Sequence, residues 1–376
     1  MSLPPYKLVT SQSEWQSCLA DIQSQSRFSV DLEANSMYAY RERICLIQIS
    51  SPTLDYIVDP LADIDLSILG QLFADHTIEK IFHAAEYDIT LMKREHQWEL
   101  NNLFDTMWAA RILGYERYGL ASMLETVFDV RLNKRYQKSN WCRRPLKDEQ
   151  LAYAQNDTHY LIPLRNYLAE KLEASGRWEE AVESFAMQTQ VTPSNNEFTP
   201  QSFWSINGAR DLDGVEQSIL CQLAIYRDKE AQKRDKPHFK ILGDKTLLEI
   251  AYRMPRNSFE LSRIHGMSAG QVRRYGQGIL NAIIHGQQTT AVPPPKRKKR
   301  PPDDIINRYE KLRIWRKERA QDRGVESDVI ISKDAMWVIA RENPQSFAQL
   351  AKIDEIGAWR CQTYGNEILA LMDKTN

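Results

Sequence analysis

Two acidic side chains lie within a segment that otherwise has the composition of a buried β-strand. Asp31 and Glu33 belong to the run 27–33, which is rich in β-forming residues and bounded by turn formers. Alternate residues of a strand share one face, so the two carboxylates point the same way and lie about 7 Å apart. Two carboxylates at this distance repel each other unless a cation lies between them. For an isolated pair, a solvent-exposed face of the strand is the simpler interpretation.

Two further segments place acidic residues in comparable surroundings. A short apolar strand leads into His83 and Asp88 at a predicted strand-to-helix junction, which is where α/β sheets usually bind ligands. A helix predicted over 148–172 contains Tyr153 and Asp157, which are four residues apart and therefore neighbours on one face. Asp157 interrupts an apolar stripe, and a buried aspartate is unfavourable by several kcal/mol unless it is paired or metal-bound. Asp157 is therefore predicted to be a ligand.

The three segments occur in the order and spacing of the exonuclease motifs of the DEDDy family. The motifs read Val-Asp31-Leu-Glu33, Phe-His83-Ala-x-x-x-Asp88 and Tyr153-Ala-x-x-Asp157. Residues 41–50, 104–111 and 138–146 and the C-terminal half extend the similarity, so nearly the whole chain resembles the bacterial ribonuclease D family. The resemblance implies a ribonuclease H-like α/β domain with a mixed sheet, followed by two small all-α HRDC-like domains.

The resemblance also implies a role for each motif residue. Asp31, Glu33, Asp88 and Asp157 would bind two divalent cations about 4 Å apart, with Asp31 bridging both. By the same resemblance, Tyr153 would orient the attacking water. A ligand set made only of carboxylate oxygens favours Mg²⁺ or Mn²⁺, although Zn²⁺ also binds such groups.

Other polar residues near these motifs are weaker candidates. Gln48 interrupts an apolar strand, so it either meets the terminal nucleotide or bonds to neighbouring backbone. His83 fits a hydrogen-bonded core histidine better than a metal ligand, and Asp105 fits a helix N-cap as well as a catalytic role. The segment 131–144 has six cations, no acid and two aromatic residues, which is typical of a single-strand RNA path. Its candidate substrate contacts are Lys138, Trp141 and Arg144.

The net charge of −1 results from two halves of opposite charge. Residues 1–200 have a net charge of −9, whereas residues 201–376 have a net charge of +8. A basic half predicts contact with a polyanion, and an acidic half is consistent with carboxylates gathered around divalent cations. Chance is the alternative explanation for such an asymmetry.

Linkers and an internal repeat divide the chain into three predicted domains. The stretches 188–202 and 286–302 are rich in Pro, Ser, Thr or basic residues, with a basic run at 296–300. The predicted domains are an exonuclease domain at 1–200, a first HRDC-like domain at 205–290 and a second at 302–376.

The last two domains are copies of each other. Residues 222–285 align with 311–374 at a constant offset of 89, with 17 identities in 64 positions. The basic pair Arg273-Arg274 of the first copy becomes Gln362-Thr363 in the second. The first copy is therefore the better candidate for binding RNA. A packing or spacer role for these domains is the alternative.

Several other features restrict the function. No apolar run is long enough to cross a bilayer, and the start lacks the features of a secretory signal, so we expect a cytoplasmic protein without membrane contact. The five cysteines are scattered and lack the C-x-x-C spacing, which predicts reduced, mostly packed thiols. The fragment Leu242-Gly-Asp-Lys-Thr lacks the Gly-Lys pair of a phosphate loop, so no nucleotide cofactor is expected.

The carboxylates predict a metal-dependent enzyme. The resemblance implies a 3′–5′ exoribonuclease that releases 5′-mononucleotides, with transfer RNA precursors as substrates. One alternative is a DNA 3′–5′ exonuclease, because no residue visibly reads a 2′-hydroxyl group. Another is a non-catalytic RNA-binding adaptor, which the complete set of motif residues disfavours. The residues alone leave the oligomeric state and the domain arrangement open.

Overall fold

The computed structural model describes residues 3–193, 197–296 and 299–372. These residues form two compact units. The first contains the described residues of Met1–Ala34, Ile44–Pro193 and Arg300–Asn376, and the second contains those of Asn35–Arg43 and Ser194–Lys299. Within the basic run predicted at 296–300, residues 297 and 298 lie outside the described residues.

A six-stranded mixed sheet forms the centre of the first unit. The strands are β1 (Lys7–Val9), β2 (Arg27–Ala34), β3 (Ile44–Ser50), β4 (Asp55–Val58), β5 (Glu79–Phe82) and β6 (Leu103–Asp105). Their order across the sheet is β1-β4-β3-β2-β5-β6. Strand β2 is antiparallel to β3 and parallel to β5, so the predicted α/β fold with a mixed sheet is confirmed.

The predicted strands form where the chain has an uninterrupted run of apolar and β-branched residues. All seven residues of β3 are buried, as expected for a central strand covered on both faces. Strands β1 and β6 were not predicted, because each has three residues and is too short to show a period of two.

Eight helices accompany the sheet in the exonuclease part of the chain. They are α1 (Gln12–Gln23), α2 (Ser67–Ala74), α3 (Glu86–His96), α4 (Thr106–Ile112), α5 (Leu120–Phe128), α6 (Asp148–His159), α7 (Leu161–Ala174) and α8 (Trp178–Thr189). The single helix predicted over 148–172 is therefore two helices that meet at Tyr160. Pro163 explains the break, because it has no N–H to donate to the carbonyl of His159.

The cysteines depart from the prediction. Cys45 and Cys142 form a disulfide, so the expectation that all five cysteines are reduced is wrong. Cys45 lies where the register between β2 and β3 shifts, and Cys142 lies in the basic segment 131–144. The pair is separated by 97 residues in the chain, a distance at which no local pattern signals a contact. The free and buried cysteines are Cys18, Cys221 and Cys361.

The second unit contains the first repeat. Its helices are α9 (Gly214–Arg234), α10 (His238–Ile241), α11 (Asp244–Arg253), α12 (Ser258–Leu261) and α13 (Ala269–Gln288). Residues 35–43, which connect β2 to β3 in the chain, belong to the same unit. The Tyr40 hydroxyl donates a hydrogen bond to the Asp228 carboxylate at 2.7 Å, and the Lys240 ammonium lies 3.9 Å from the centre of the Tyr38 ring.

The second repeat has the same succession of five helices. They are α14 (Asp303–Arg323), α15 (Ser327–Ile330), α16 (Lys333–Glu342), α17 (Phe347–Leu350) and α18 (Ala358–Leu371). The three middle helices coincide with α10, α11 and α12 at the offset of 89 residues. The predicted pair of small all-α domains is therefore confirmed. No helix in the described part of the chain is both long and apolar enough to span a membrane.

Candidate active site

Three of the four predicted carboxylates meet at one point in the first unit. Asp31 and Glu33 project from the same face of β2, and Asp157 reaches them from α6, which packs on that face. Each of the three offers a carboxylate oxygen, and these oxygens all lie within 4.8 Å of one another. Asp88, in the first turn of α3, is also buried. It lies close enough to Asp31 and Asp157 for their negative charges to raise its pKa. The structure thus gathers all four predicted carboxylates.

Burial and mutual repulsion raise the pKa values of the carboxyl groups in this cluster. Burial raises the pKa of Asp31 to about 7. Burial, followed by the charges of the neighbouring carboxylates, raises the pKa of Glu33 to about 10. The pKa values of Asp88 and Asp157 are raised well above the usual range, first by burial and then by the other acids. Carboxyl groups gathered this closely, with such raised pKa values, are suited to binding a multivalent cation, because the cation favours their ionised form.

Tyr153 lies at the edge of the cluster. Its hydroxyl donates a hydrogen bond to the Asp157 carboxylate, as expected for residues one helical turn apart. Burial and then the charges of Asp157, Glu33 and Asp31 raise the pKa of Tyr153, so the phenol stays protonated. A protonated phenol beside the carboxylates is a hydrogen-bond donor for a water or a phosphate oxygen.

Serine hydroxyls fix α6 on the sheet. The Ser29 hydroxyl on β2 donates to the backbone oxygen of Thr158 at 2.9 Å, and the Ser50 hydroxyl on β3 donates to the Thr158 hydroxyl at 2.8 Å. Thr158 follows Asp157 directly, so these bonds set the distance between the Asp157 carboxylate and β2. The sequence analysis did not select these serines, although polar residues in buried strands are a signal that something must satisfy them.

Asp105 organises the turn that leads to Asp88. Its carboxylate accepts hydrogen bonds from the backbone N–H groups of Ala84 and Ala85 at 3.1 and 2.8 Å, and it also caps α4. Ala84 has a φ of 65°, a conformation that is unfavourable for alanine and that these bonds hold in place. The N-cap interpretation of Asp105 is confirmed for α4, and its reach to the turn before α3 goes beyond that prediction.

His83 and Gln48 lie beside the cluster. The Nδ1 atom of His83 lies 2.9 Å from the Thr106 hydroxyl, and burial lowers the pKa of His83 to about 4, so the imidazole is neutral. Gln48 is fully buried on β3 directly opposite Asp31. Its amide has no hydrogen-bond partner in the described residues, so the alternative that it bonds to neighbouring backbone is not what the structure shows. Contact with a nucleotide stays a prediction.

The basic segment 131–144 is anchored rather than freely solvated. Trp141 is buried, and its ring centre lies 5.9 Å from that of Tyr153. Arg144 forms an ion pair with Asp59 and donates to the backbone oxygen of Cys45 at 2.7 Å. Both residues therefore shape the site through the protein itself. Of the three predicted substrate contacts in this segment, Lys138 is the exposed one.

A pocket of about 310 Å³ connects this segment to the cluster. Its wall includes Tyr153 and Asp157 from α6 together with Asn156, which the sequence analysis missed. Arg135 and Tyr136 of the basic segment form the opposite part of the wall. The missed residues had a signal in their positions, since Asn156 lies between the two motif residues of α6 and Arg135 lies in the segment already identified as basic.

Family comparisons agree with this geometry. A family model described as 3′–5′ exonuclease matches residues 6–173, and the HRDC domain model matches residues 216–283 and 306–372. A ribonuclease D from Nitrobacter hamburgensis is 27% identical over 97% of this chain and 94% of its own length. The chain is therefore similar to bacterial ribonuclease D over nearly its whole length, and it contains a 3′–5′ exonuclease domain followed by two HRDC domains.

Other similar proteins match three quarters or nearly all of this chain. Protein RRP6-like 1 from Arabidopsis thaliana is 33% identical over 76% of this chain, and the chain spans 46% of that protein's length. The crystal structure of Escherichia coli RNase D, described as an exoribonuclease involved in structured RNA processing, covers 98% of this chain with a TM-score of 0.69 and 23% identity. At that identity the structural match shows the shared fold.

The donor set of the candidate site fits divalent metal ions. DEDDy exonucleases are metal-dependent, and the acidic cluster of Asp31, Glu33 and Asp157 supplies the oxygen ligands that such ions require. Burial first, and for Glu33 and Asp157 the neighbouring acids as well, raise the pKa values of these carboxyl groups, and bound cations would favour their ionised forms. The residues present therefore fit the expected cofactor.

Proposed function

We propose that this protein is a 3′–5′ exoribonuclease that removes 5′-mononucleotides from the 3′ end of RNA. The observation that supports the proposal is the convergence of Asp31, Glu33, Asp88, Tyr153 and Asp157, which three separate segments of the chain, β2, α3 and α6, bring together. In this proposal the physiological cations are two Mg²⁺ or Mn²⁺ ions. When bound, they supply activation of the attacking water and stabilisation of the leaving 3′ oxygen.

The chain's own residues divide the remaining tasks. Asp31 lies at the centre of the cluster and is assigned to both cations, whereas Glu33 and Asp157 are assigned to one and Asp88 to the other. Tyr153 stays protonated and donates a hydrogen bond, which orients the attacking water for in-line attack. Asp105 holds the turn before α3 and thereby positions Asp88.

RNA is the proposed polymer, and precursors of transfer RNA are the proposed substrate class. The pocket beside Tyr153 has Arg135 and Tyr136 in its wall, which suit a phosphate and a stacked base at the 3′ end. The relation to ribonuclease D supports RNA over DNA, and a cytoplasmic location is part of the same proposal. A structured RNA with a single-stranded 3′ extension has the shape that such a pocket requires.

Incubation of a 5′-labelled RNA with Mg²⁺, Mn²⁺ or excess EDTA tests the proposal. We expect a ladder that shortens one nucleotide at a time from the 3′ end in either metal, release of 5′-mononucleotides, and no products in EDTA. A DNA strand of the same sequence, degraded at the same rate, would favour the DNA exonuclease alternative. RNA that stays intact in both metals would favour the non-catalytic adaptor.

The variant Asp31→Asn separates catalysis from folding. Loss of one shared carboxylate should remove turnover while leaving the thermal unfolding temperature and RNA binding in EDTA near those of the unchanged protein. Glu86→Gln is the matched control, because Glu86 is an exposed acid close by in the first turn of α3. Near-normal turnover of Asp31→Asn would reject the assignment of the site.

A further inference from the structure

The first repeat exposes aromatic side chains that a soluble helical domain normally buries. Among the large hydrophobic side chains of residues 3–193, 197–296 and 299–372, the three most exposed are Tyr252 at 68%, Phe259 at 66% and Phe239 at 56%. All three are aromatic and all three lie in the first repeat. Two of them, Tyr252 and Phe259, flank the connection between α11 and α12, residues 252–263, which we name the 252–263 turn.

The backbone of the 252–263 turn is well fixed. Helix α11 ends with Met254 in the left-handed conformation at φ 47°, and Pro255 after it is buried. Asn257 caps α12 by accepting a hydrogen bond from the backbone N–H of Glu260 at 2.9 Å. The Glu260 carboxylate in turn accepts from the backbone N–H of Arg256 at 2.8 Å. The exposed rings are therefore presented by a rigid support, which reduces the entropy lost on binding.

Arginines alternate with the exposed rings along the turn. Arg253, Arg256 and Arg263 are all exposed, and the guanidinium of Arg263 lies 4.4 Å from the centre of the Phe259 ring. Arg253, next to Tyr252 in the chain, pairs with Glu249 at 3.0 Å. A continuous apolar patch would suit a protein partner, but here the ring of Phe259 has a cation beside it and arginines lie between the two rings in the chain. Rings for bases and cations for phosphates are the combination by which proteins bind single-stranded RNA.

The second repeat provides a control within the same chain. Asn343 ends α16 with the same φ of 47° as Met254, and Ser346 caps α17, so the two turns have the same backbone. The side chains differ, however, because the counterparts of Tyr252, Arg253, Arg256 and Phe259 are Arg341, Glu342, Gln345 and Ala348. The second turn keeps one exposed ring, Phe347 at 40%, but the fold of the repeat does not require rings at the positions of Tyr252 and Phe259.

The phenylalanine of the second turn is also used differently. Phe347 lies against Gly365, where a Cβ atom would come within 2.6 Å of the ring. The first repeat has Ser258 at the equivalent position and places its phenylalanine one residue later, where it points to solvent. Phe347 packs against Gly365 and is 40% exposed, whereas Phe259 is 66% exposed.

We propose that the 252–263 turn is a binding surface for single-stranded RNA, on which Tyr252 and Phe259 stack with bases while Arg256 and Arg263 contact phosphates. This inference rests on the proposed function, since it assumes that the chain handles RNA. It assigns the binding to one turn of the first repeat and predicts that the equivalent turn of the second repeat does not contribute.

Binding of the full chain to a fluorescein-labelled 20-nucleotide RNA in EDTA tests the surface. The double variant Tyr252→Ala/Phe259→Ala should bind at least about tenfold more weakly at constant salt, with little change in salt dependence, because stacking rather than charge is lost. The same double variant should bind an abasic oligonucleotide of equal length as tightly as the unchanged protein. Arg256→Gln/Arg263→Gln should instead lower the salt slope by about 1 on both polymers.

Phe347→Ala is the matched control in the second repeat and should leave the affinity for the 20-mer unchanged. Equal affinity of the aromatic double variant and the unchanged protein would overturn the inference, as would an equal loss on the abasic polymer. A surface that joins two copies of the chain is a third outcome that would overturn it. Sedimentation at micromolar concentration would then show a dimer that the aromatic double variant lacks.

Failure of the wider proposal can be told apart from failure of this one. Hydrolysis of a tetranucleotide in Mn²⁺ reports on the carboxylate site, and the aromatic double variant should hydrolyse it at the rate of the unchanged protein. If the unchanged protein does not hydrolyse it, the proposed function is wrong. The binding comparison in EDTA still decides whether the 252–263 turn binds RNA.

Discussion

The first unit contains two groups of acidic side chains that differ in their partners. In the candidate active site, Asp88 is buried and Asp31, Glu33 and Asp157 are half-buried, and these carboxylates have one another and Tyr153 as neighbours. In the described residues no lysine or arginine forms an ion pair with them. On α8, Glu180 is fully buried but accepts two hydrogen bonds from Arg323 of the second repeat, both at 2.8 Å. Glu183, one turn later, accepts from Arg360 at 2.8 Å.

The difference separates a structural from a functional use of buried charge. An arginine that meets a carboxylate in two parallel hydrogen bonds neutralises it, so the pair holds the second repeat against α8. A carboxylate that meets other carboxylates destabilises the metal-free protein and is retained because it binds something positive. A buried acid is thus informative about function only when its partners are known.

The two repeats also use one arginine position differently. Arg323 and Arg234 are equivalent at the offset of 89. Arg323 reaches Glu180 on α8, whereas Arg234 pairs with Glu230 of its own helix at 2.8 Å. The second repeat thus packs against α8 through a buried ion pair. The first repeat instead has the exposed aromatic rings of the 252–263 turn and the larger excess of basic residues.

The largest effect is expected from breaking the unpaired cluster. Asp157→Asn should lower the rate of RNA hydrolysis about a thousandfold or more, because a ligand that supports transition-state charge is lost. Single-turnover degradation of a labelled RNA at saturating Mn²⁺ measures the effect. Glu170→Gln, an exposed acid on α7, is the control and should be unchanged. A loss of less than tenfold would place Asp157 outside the catalytic group.

Variants of the arginine-paired group, Glu180 and Glu183 with Arg323 and Arg360, should change the free energy of unfolding instead. Arg323→Gln leaves Glu180 buried and undercompensated and should lower the free energy of unfolding by about 3 kcal/mol. Arg234→Gln removes the equivalent arginine from a half-exposed pair within one helix and should lower it by less than about 0.5 kcal/mol. Urea unfolding followed by circular dichroism measures both. Equal effects of the two variants would show that the second repeat does not depend on this contact.

The free energy of unfolding of the metal-free protein should fall with rising pH, because the acidic cluster has no positive partner among the described residues. Above about pH 4 the unfolded chain has lost carboxyl protons that the folded site, with a pKa of about 7 for Asp31, still holds. Metal-free stability is therefore highest at low pH and should fall by about 2 kcal/mol between about pH 5 and pH 8. Mn²⁺ should restore stability and do so more strongly at the higher pH. Thermal unfolding in EDTA and in Mn²⁺ checks both statements, and Asp31→Asn should flatten the metal-free profile.

The smallest expected effect is a gain in stability of the variant Asp88→Asn. Asp88→Asn removes a buried carboxyl whose pKa is raised by burial and by neighbouring acids, so in EDTA at about pH 8 the variant should be more stable by about 1 kcal/mol. Glu183→Gln, in the paired group, should change stability in the opposite direction. Chemical denaturation of the two variants decides the contrast, and destabilisation by both would remove the distinction between the clusters.

The sequence by itself determined which residues are proposed to do the chemistry. Asp31, Glu33, Asp88, Tyr153 and Asp157 were identified by type and spacing, since strand and helix periods decide which side chains share a face. The internal repeat and its helices were also readable, because helical periodicity is a local property. The loss of basic residues in the second copy was visible in the same alignment.

Only the tertiary structure decided how those residues are held and which partners they have. The Cys45–Cys142 disulfide, the reach of Asp105 to the turn before α3 and the pairs that Glu180 and Glu183 form with the second repeat all join segments far apart in the chain. Such contacts leave no periodic signal, because packing of whole elements brings them together. The same reason explains why Trp141 and Arg144, predicted to face RNA, are turned inward to support the wall of the site.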